Sequence, residues 1–191
     1  PHMSHFSSHR HLLAIERLSA AAISTILELA TVYASQNRST QRKNQKLSGK
    51  TVVNMFFENS TRTRNSFELA AKRLGADVLN VDLIHSSMKK GETTLDTVMT
   101  INAMQVDAFV IRHSENGVPQ FLAPHVNGAV INAGDGTHEH PTQALIDALT
   151  MIRHKQQLKD LKVTICGDIE HSRVARSNIY LLNKFGAQVN V

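Results

Sequence analysis

Ser60-Thr61-Arg62-Thr63-Arg64 gathers hydroxyls and guanidiniums within one short stretch. It follows the apolar run Val52-Val53-Asn54-Met55-Phe56-Phe57 and precedes Phe67, Ala70, Ala71 and Leu74 at helical spacing. The hydroxyls and Arg62 therefore fall where a strand ends and a helix begins. The first amides of a helix lack intrahelical partners, and the helix dipole places partial positive charge there. With Arg62 and short hydroxyl side chains added, this turn makes a socket for a phosphate dianion. A capped helix with a surface arginine is the plain alternative.

Three further clusters carry chemistry. Ser86, Ser87, Lys89, Lys90, Gly91 and Glu92 share one polar loop. It reads either as a solvated loop or as a mobile arm bringing an ammonium to an anion. Arg112 closes an apolar strand, so its charged head emerges at a sheet edge to meet a ligand or to form a structural salt bridge. Gly134-Asp135-Gly136-Thr137-His138-Glu139-His140-Pro141-Thr142-Gln143 is rich in donors. Pro141 fixes a helix start, with His140 at the cap and Gln143 one turn in. An imidazole N–H there can polarise a carbonyl, and a carboxamide can hold an amino group. His138 and His140 lack an obvious third ligand, so no metal is expected. Gly167-Asp168 lacks the G-x-G-x-x-G spacing of a dinucleotide site. Cys166, within an apolar run, reads as a buried structural thiol.

The elements that must position these residues alternate between strand and helix patterns. A helix is expected over 19–34 with Ser19 as its cap, then strands over 51–57, 77–82, 108–112 and 129–132. Helices fall between them over 61–74, 93–104 and 118–122, and another over 141–152 follows the last strand. Gly134-Asp135-Gly136 opens a loop. This order implies an α/β fold: a four-stranded parallel sheet flanked by helices, with ligand sites beyond the carboxyl ends of its strands. Residues 154–159 read as a linker. A strand over 161–167, a helix over 173–185 and a strand over 187–191 then make the first βαβ unit of a second, similar domain. The expected division is 3–155 and 156–191, the second part being incomplete because two strands and a helix make a poor independent core.

The 191 residues carry a formal net charge of +5, with 41% hydrophobic and 19% charged, an ordinary globular composition. The basic stretch from Arg38 to Lys50 has no aromatic residue on which bases could stack, so a solvated loop is expected rather than a nucleic-acid site. No apolar run approaches the roughly 20 residues of a membrane helix. No charged-then-apolar leader is visible, and one cysteine suits a reducing compartment, so the cytoplasm is the expected location.

Taken together, these segments resemble the catalytic chains of the aspartate carbamoyltransferase family. The resemblance is carried by Phe56 to Arg64, Lys90-Gly91-Glu92, Arg112-His113, Gly134-Asp135-Gly136 and His140-Pro141-Thr142-Gln143 in that order. It runs from about Leu18 to Val191. The related ornithine carbamoyltransferases share Ser-Thr-Arg-Thr-Arg and His-Pro-Thr-Gln, whereas Lys90-Gly91-Glu92 and Gly134-Asp135-Gly136 are similar to the aspartate enzymes.

The resemblance implies transfer of a carbamoyl group from carbamoyl phosphate to the α-amino group of L-aspartate. The products would be N-carbamoyl-L-aspartate and phosphate, in the committed step of de novo pyrimidine synthesis. Ser60, Thr61, Arg62 and Thr63 would hold the phosphate. Arg112 would reach a phosphate oxygen and the carbonyl, Thr63 and His140 would donate to that carbonyl, and Gln143 would hold the amino group. Ser86 and Lys90 would come from a neighbouring subunit of a homotrimer. Lys90 and Arg173 would contact aspartate, Glu58 would join the two domains, and Arg64 would be structural. No cofactor and no metal are implied. Regulatory or dihydroorotase-like partner chains stay open. The family's further aspartate contacts, including an Arg-x-Gln segment, and its Pro-Leu loop touching the carbamoyl group do not occur in this sequence. An enzyme fragment and an inactive carbamoyl-phosphate-binding or assembly module are therefore both carried forward, beside an ornithine-using enzyme.

Overall fold

The computed structural model describes residues 9–83 and 93–191. Helix α1 (Ala20–Gln36) comes first, its N-terminal amides closed by Ser19, whose hydroxyl accepts from Ala22 N–H at 3.1 Å. Then come β1 (Thr51–Phe56), α2 (Thr61–Arg73), β2 (Asp77–Asp82), α3 (Thr94–Asn102), β3 (Ala108–His113), α4 (Val118–Leu122), β4 (Ala129–Asp135) and α5 (Pro141–Lys155). The chain ends with β5 (Lys162–Thr164), α6 (Arg173–Lys184) and β6 (Gln188–Asn190).

Four strands form a parallel sheet in the order β2-β1-β3-β4. Side chains alternate across it, as strand geometry requires. Val53 and Met55 pack with Phe109, Ile111, Val98 and Leu122 on the α3–α4 face. Val52 and Phe56 pack with Val110, Ala133 and Ala71 of α2 on the other. Burying each such large side chain contributes about 1.5–3 kcal/mol. By contrast the Lys50–Asp107 pair, with Lys50 56% exposed, is screened by solvent and adds little. The apolar clusters, not the surface charges, hold the sheet.

A third cluster joins α1, α5 and α6 through Ile23, Leu27, Leu145, Ala148, Leu181 and Leu182. The helix after the expected linker thus shares a core with the first and fifth helices. Basic residues Arg153, His154 and Lys155 favour the negative end of α5, which continues into the expected linker. It closes where Gln156 N–H donates to Ile152 O at 2.7 Å.

Two expectations change. The Gly134-Asp135-Gly136 segment does not open a loop: β4 runs through Asp135, and its pairing with β3 shifts between Ile111 and His113. The extra residue in β4 is accommodated where Gly134 takes φ +116°. Cys166 is exposed rather than buried. Among the described residues strand β5 pairs with β6 alone, and it ends at Thr164. Val163 packs inward while Lys162, Thr164 and Cys166 face solvent.

The N-terminal segment also lies along β4, a contact without a sequence signal. Leu12 N–H donates to Val130 O at 2.9 Å, and Asn132 N–H donates to Leu12 O at 2.8 Å.

Candidate active site

Strands β1, β3 and β4 deliver their carboxyl ends to one pocket of about 820 Å³. Ser60, Arg62, Thr63, Arg112, His140, Gln143 and Arg173 line it. Thr61 is exposed at the first position of α2 and is not among the lining residues. Ser86 and Lys90 lie outside the described residues.

Ser60 is the N-cap of α2, yet its hydroxyl makes no capping hydrogen bond. The first intrahelical amide is Arg64 N–H, donating to Ser60 O at 3.0 Å. The earlier amides and the Ser60 hydroxyl are thus left for an anion at the positive end of the helix.

Arg112 stands where the β3–β4 register shifts, and such irregularities re-aim side chains. Its Nη1 donates to Ala133 O at 3.1 Å. Its Nε lies 2.7 Å from Glu58 Oε1, an ion pair whose alignment falls short of a hydrogen bond. Arg173, at the start of α6, donates through Nη2 to the same Glu58 oxygen at 2.5 Å and through Nη1 to Gly136 O at 3.2 Å. Glu58, two residues beyond β1, therefore ties that strand end to a helix more than a hundred positions later. One carboxylate shared by two guanidiniums leaves this wall with excess positive charge, which suits an anionic ligand. Burial, and then repulsion from Arg173, lowers the Arg112 pKa, with Glu58 opposing. A guanidinium stays protonated at neutral pH under such a shift.

Gly134 packs beneath both arginines. A Cβ there would stand 3.2 Å from Arg112 Nη1 and 3.2 Å from Arg173 Nε, at a φ of +116° that disfavours side chains. Gly134→Ala is expected to cost about 1–3 kcal/mol of stability through backbone strain. It also pushes the guanidiniums from their positions. Thermal melting and phosphate titration check this; unchanged Tm and unchanged affinity would refute it.

His140 caps α5, its backbone N–H donating to Ser177 Oγ at 2.8 Å. Burial first, then the charges of Arg112 and Arg173, lower its pKa to about 4. The ring is neutral at physiological pH and keeps one N–H. Thr142 Oγ1 lies 3.5 Å from Nδ1. When that hydroxyl donates, the ring proton sits on Nε2.

Sequence reasoning missed what holds His140. Glu139 is fully buried and accepts from Ile15 N–H at 2.7 Å, Glu16 N–H at 3.2 Å and Ser177 Oγ at 2.9 Å. Asp135, also buried, accepts from Gly117 N–H at 2.7 Å, Asn132 Nδ2 at 2.8 Å and Glu139 N–H at 3.1 Å. The Glu139 pattern has no local signature, because its donors come from distant segments, whereas Asp135 combines two near neighbours with Gly117. His138 Nδ1 lies 2.9 Å from Asp135 Oδ2. Among the described residues no group of three or more His, Cys, Asp or Glu gathers as for a metal. His113 is turned from the pocket: its ring packs on Phe57 at 4.9 Å, and Nδ1 accepts from Glu115 N–H. Among the described residues no helix is long and apolar enough to cross a membrane.

A guanidinium-lined pocket at the carboxyl edge of a parallel sheet, with a neutral imidazole and a carboxamide beside it, defines an α/β domain whose site suits an anionic ligand. Residues 10–153 match the family model described as aspartate/ornithine carbamoyltransferase, carbamoyl-P binding domain, and the chain belongs to that family. The aspartate carbamoyltransferase catalytic subunit of Rhodospirillum centenum is 64% identical over 183 residues, covering 96% of this chain and 58% of the relative. That of Rhodopseudomonas palustris (strain BisB18) is 56% identical, covering 100% of this chain and 60% of the relative. Aspartate transcarbamoylase from Trypanosoma cruzi, solved with aspartate and phosphate, superposes with a TM-score of 0.88 at 31% identity, covering 95% of this chain and 59% of that one. The catalytic subunit of M. jannaschii aspartate transcarbamoylase gives 0.86 at 35% identity, covering 94% and 59%. The chain thus spans less than two thirds of the length of these relatives.

Proposed function

We propose that this chain provides the carbamoyl-phosphate half of an aspartate carbamoyltransferase. The observation that carries this is the convergence of the α2 N-terminus, Arg112, His140 and Gln143 on one pocket. The names of the relatives support aspartate as acceptor, and the T. cruzi enzyme was also solved with carbamoyl phosphate.

In this reading Ser60, Arg62 and Thr63 hold the phosphate with the helix-terminal amides, and Thr61 contributes its amide. Arg112 bridges a phosphate oxygen and the carbonyl. Thr63 and the neutral imidazole of His140 donate to the carbonyl oxygen, and Gln143 receives the carbamoyl amino group. The uncharged amine of aspartate attacks the carbamoyl carbon, forming a C–N bond. The resulting oxyanion collapses, the bond from the carbamoyl carbon to the bridging oxygen breaks, phosphate leaves with that oxygen, and the amine loses a proton. Positioning and donors aimed at the developing charge supply the acceleration.

Arg173 would meet an aspartate carboxylate once Glu58 and Arg112 rearrange around the ligands. Ser86 and Lys90 would enter from a neighbouring copy, making a homotrimer the working unit. Residues 3–155 would form the carbamoyl-phosphate domain and 156–191 the start of the aspartate domain. The lone cysteine suits a cytoplasmic setting.

The test is a pair of measurements on this chain: calorimetric titration with phosphate and carbamoyl phosphate, and an assay of carbamoyl transfer to aspartate and to ornithine. Weak binding of both phosphates and little product are expected. Robust turnover by the chain alone would refute the need for the further length its relatives have. Absence of any phosphate binding would refute the socket. Transfer to ornithine in preference to aspartate would replace the acceptor.

A further inference from the structure

Gln143 and Asp147 stand one turn apart on α5, where side chains meet. Gln143 Nε2 donates to Asp147 Oδ1 at 2.9 Å. The other carboxylate oxygen, Oδ2, accepts from Asn178 Nδ2 of α6 at 2.8 Å. An ionised carboxylate has no proton to give, so each neighbouring amide must present its NH2 group. Turning Gln143 over would set its carbonyl oxygen against a negative charge. Asp147 thus decides which end of the Gln143 amide is spent within the protein, and Oε1 is the end left for a ligand. Both Gln143 and Asp147 line the pocket that holds Arg112 and His140.

We propose that Asp147, braced by Asn178, is a positioning residue that presents the Gln143 carbonyl oxygen to the pocket, so that the pocket selects acyl phosphates carrying N–H on the reacting carbon. This rests on the reading of the pocket as a carbamoyl-phosphate site and adds the source of its selectivity. Carbamoyl and acetyl phosphate differ by NH2 against CH3 at nearly equal size. Against a methyl group the Gln143 oxygen stays unpaired, and sites built to hydrogen-bond an N–H reject analogues that lack it.

Calorimetric titration of this chain with carbamoyl phosphate, acetyl phosphate and inorganic phosphate tests the proposal. Wild type prefers carbamoyl over acetyl phosphate. In Asp147→Leu, similar in size and without an acceptor, that preference falls about five- to tenfold, the worth of one hydrogen bond. Phosphate affinity does not fall, since a negative charge has left the pocket. Gln143→Met loses the same preference, and adding Asp147→Leu to it costs nothing further, as coupled residues require. An Asp147→Leu chain that keeps the preference overturns the inference. So does one that loses all three ligands together, which is the mark of a structural role. A wild type that binds phosphate without preferring carbamoyl phosphate overturns the inference and leaves the anion socket standing. A wild type that binds none of the three overturns the proposed function, and the inference with it.

Discussion

Arg112→Ala lowers carbamoyl transfer by about 10²–10³-fold in a chain extended to the length of its relatives, the usual result of removing one donor aimed at a developing oxyanion. The side chain is 12% exposed and held from two sides, by Ala133 O and by Glu58. The loss falls on turnover rather than on folding, because Glu58 keeps Arg173 as a partner and no buried carboxylate is orphaned. The same substitution removes one of the charges that depress the His140 pKa, so the imidazole titrates at higher pH in the variant. Steady-state rates read the first effect, and an NMR titration of the ring reads the second. Near-wild-type turnover together with an unmoved imidazole midpoint would contradict both.

The second large effect is the pH response of His140. In the unfolded chain a histidine titrates near 6.5; here the folded value is about 4. The native state therefore binds fewer protons than the unfolded state between those values. The stability due to the neutral ring is whole above about 6.5 and is lost as pH falls toward about 4, after which no further loss comes from this residue. Roughly 3 kcal/mol is at stake across that window. His113 shifts in the same direction through burial, so the comparison must be made against a variant. Urea unfolding of wild type and His140→Ala at pH 7 and pH 4 isolates the contribution: the stability advantage of wild type shrinks by about that amount at the acid end. A constant difference between the two proteins would show that the ring titrates normally. In the extended enzyme His140→Ala is also expected to lower turnover by about 10²–10³-fold, because the proposed mechanism uses the neutral N–H as a donor to the carbonyl.

Much of this arrangement was readable before any coordinates. A hydrophobic run, then hydroxyls and Arg62, then helical periodicity, could only be a strand, a turn and a helix. Pro141 marked the first position of α5, which put His140 at its cap. Alternating patterns implied a parallel sheet, and a parallel sheet sends its loops to one edge. What local pattern could not convey was the bulge in β4. The sequence Gly134-Asp135-Gly136 has the composition of a loop, yet the strand continues to Asp135 because His113 of β3 pairs with that residue and Glu139 bridges to it. Cys166 sat in an apolar run and still faces water, since burial depends on what covers a strand and not on its own composition. Glu139 lay unmarked between two histidines, and its partners Ile15, Glu16 and Ser177 are visible only once the chain is folded.

The sequence by itself determined the order of elements, the edge at which the unusual residues meet and the kind of ligand that edge attracts. Those properties follow from periodicity, helix-end electrostatics and residue chemistry, all of which act over a few positions. Tertiary structure alone decided that Glu58 pairs with both Arg112 and Arg173, that His140 stays neutral, and that Asn178 braces Asp147. Each of these depends on burial and on contacts between side chains that distant segments bring together. Spacing along a chain carries no record of either.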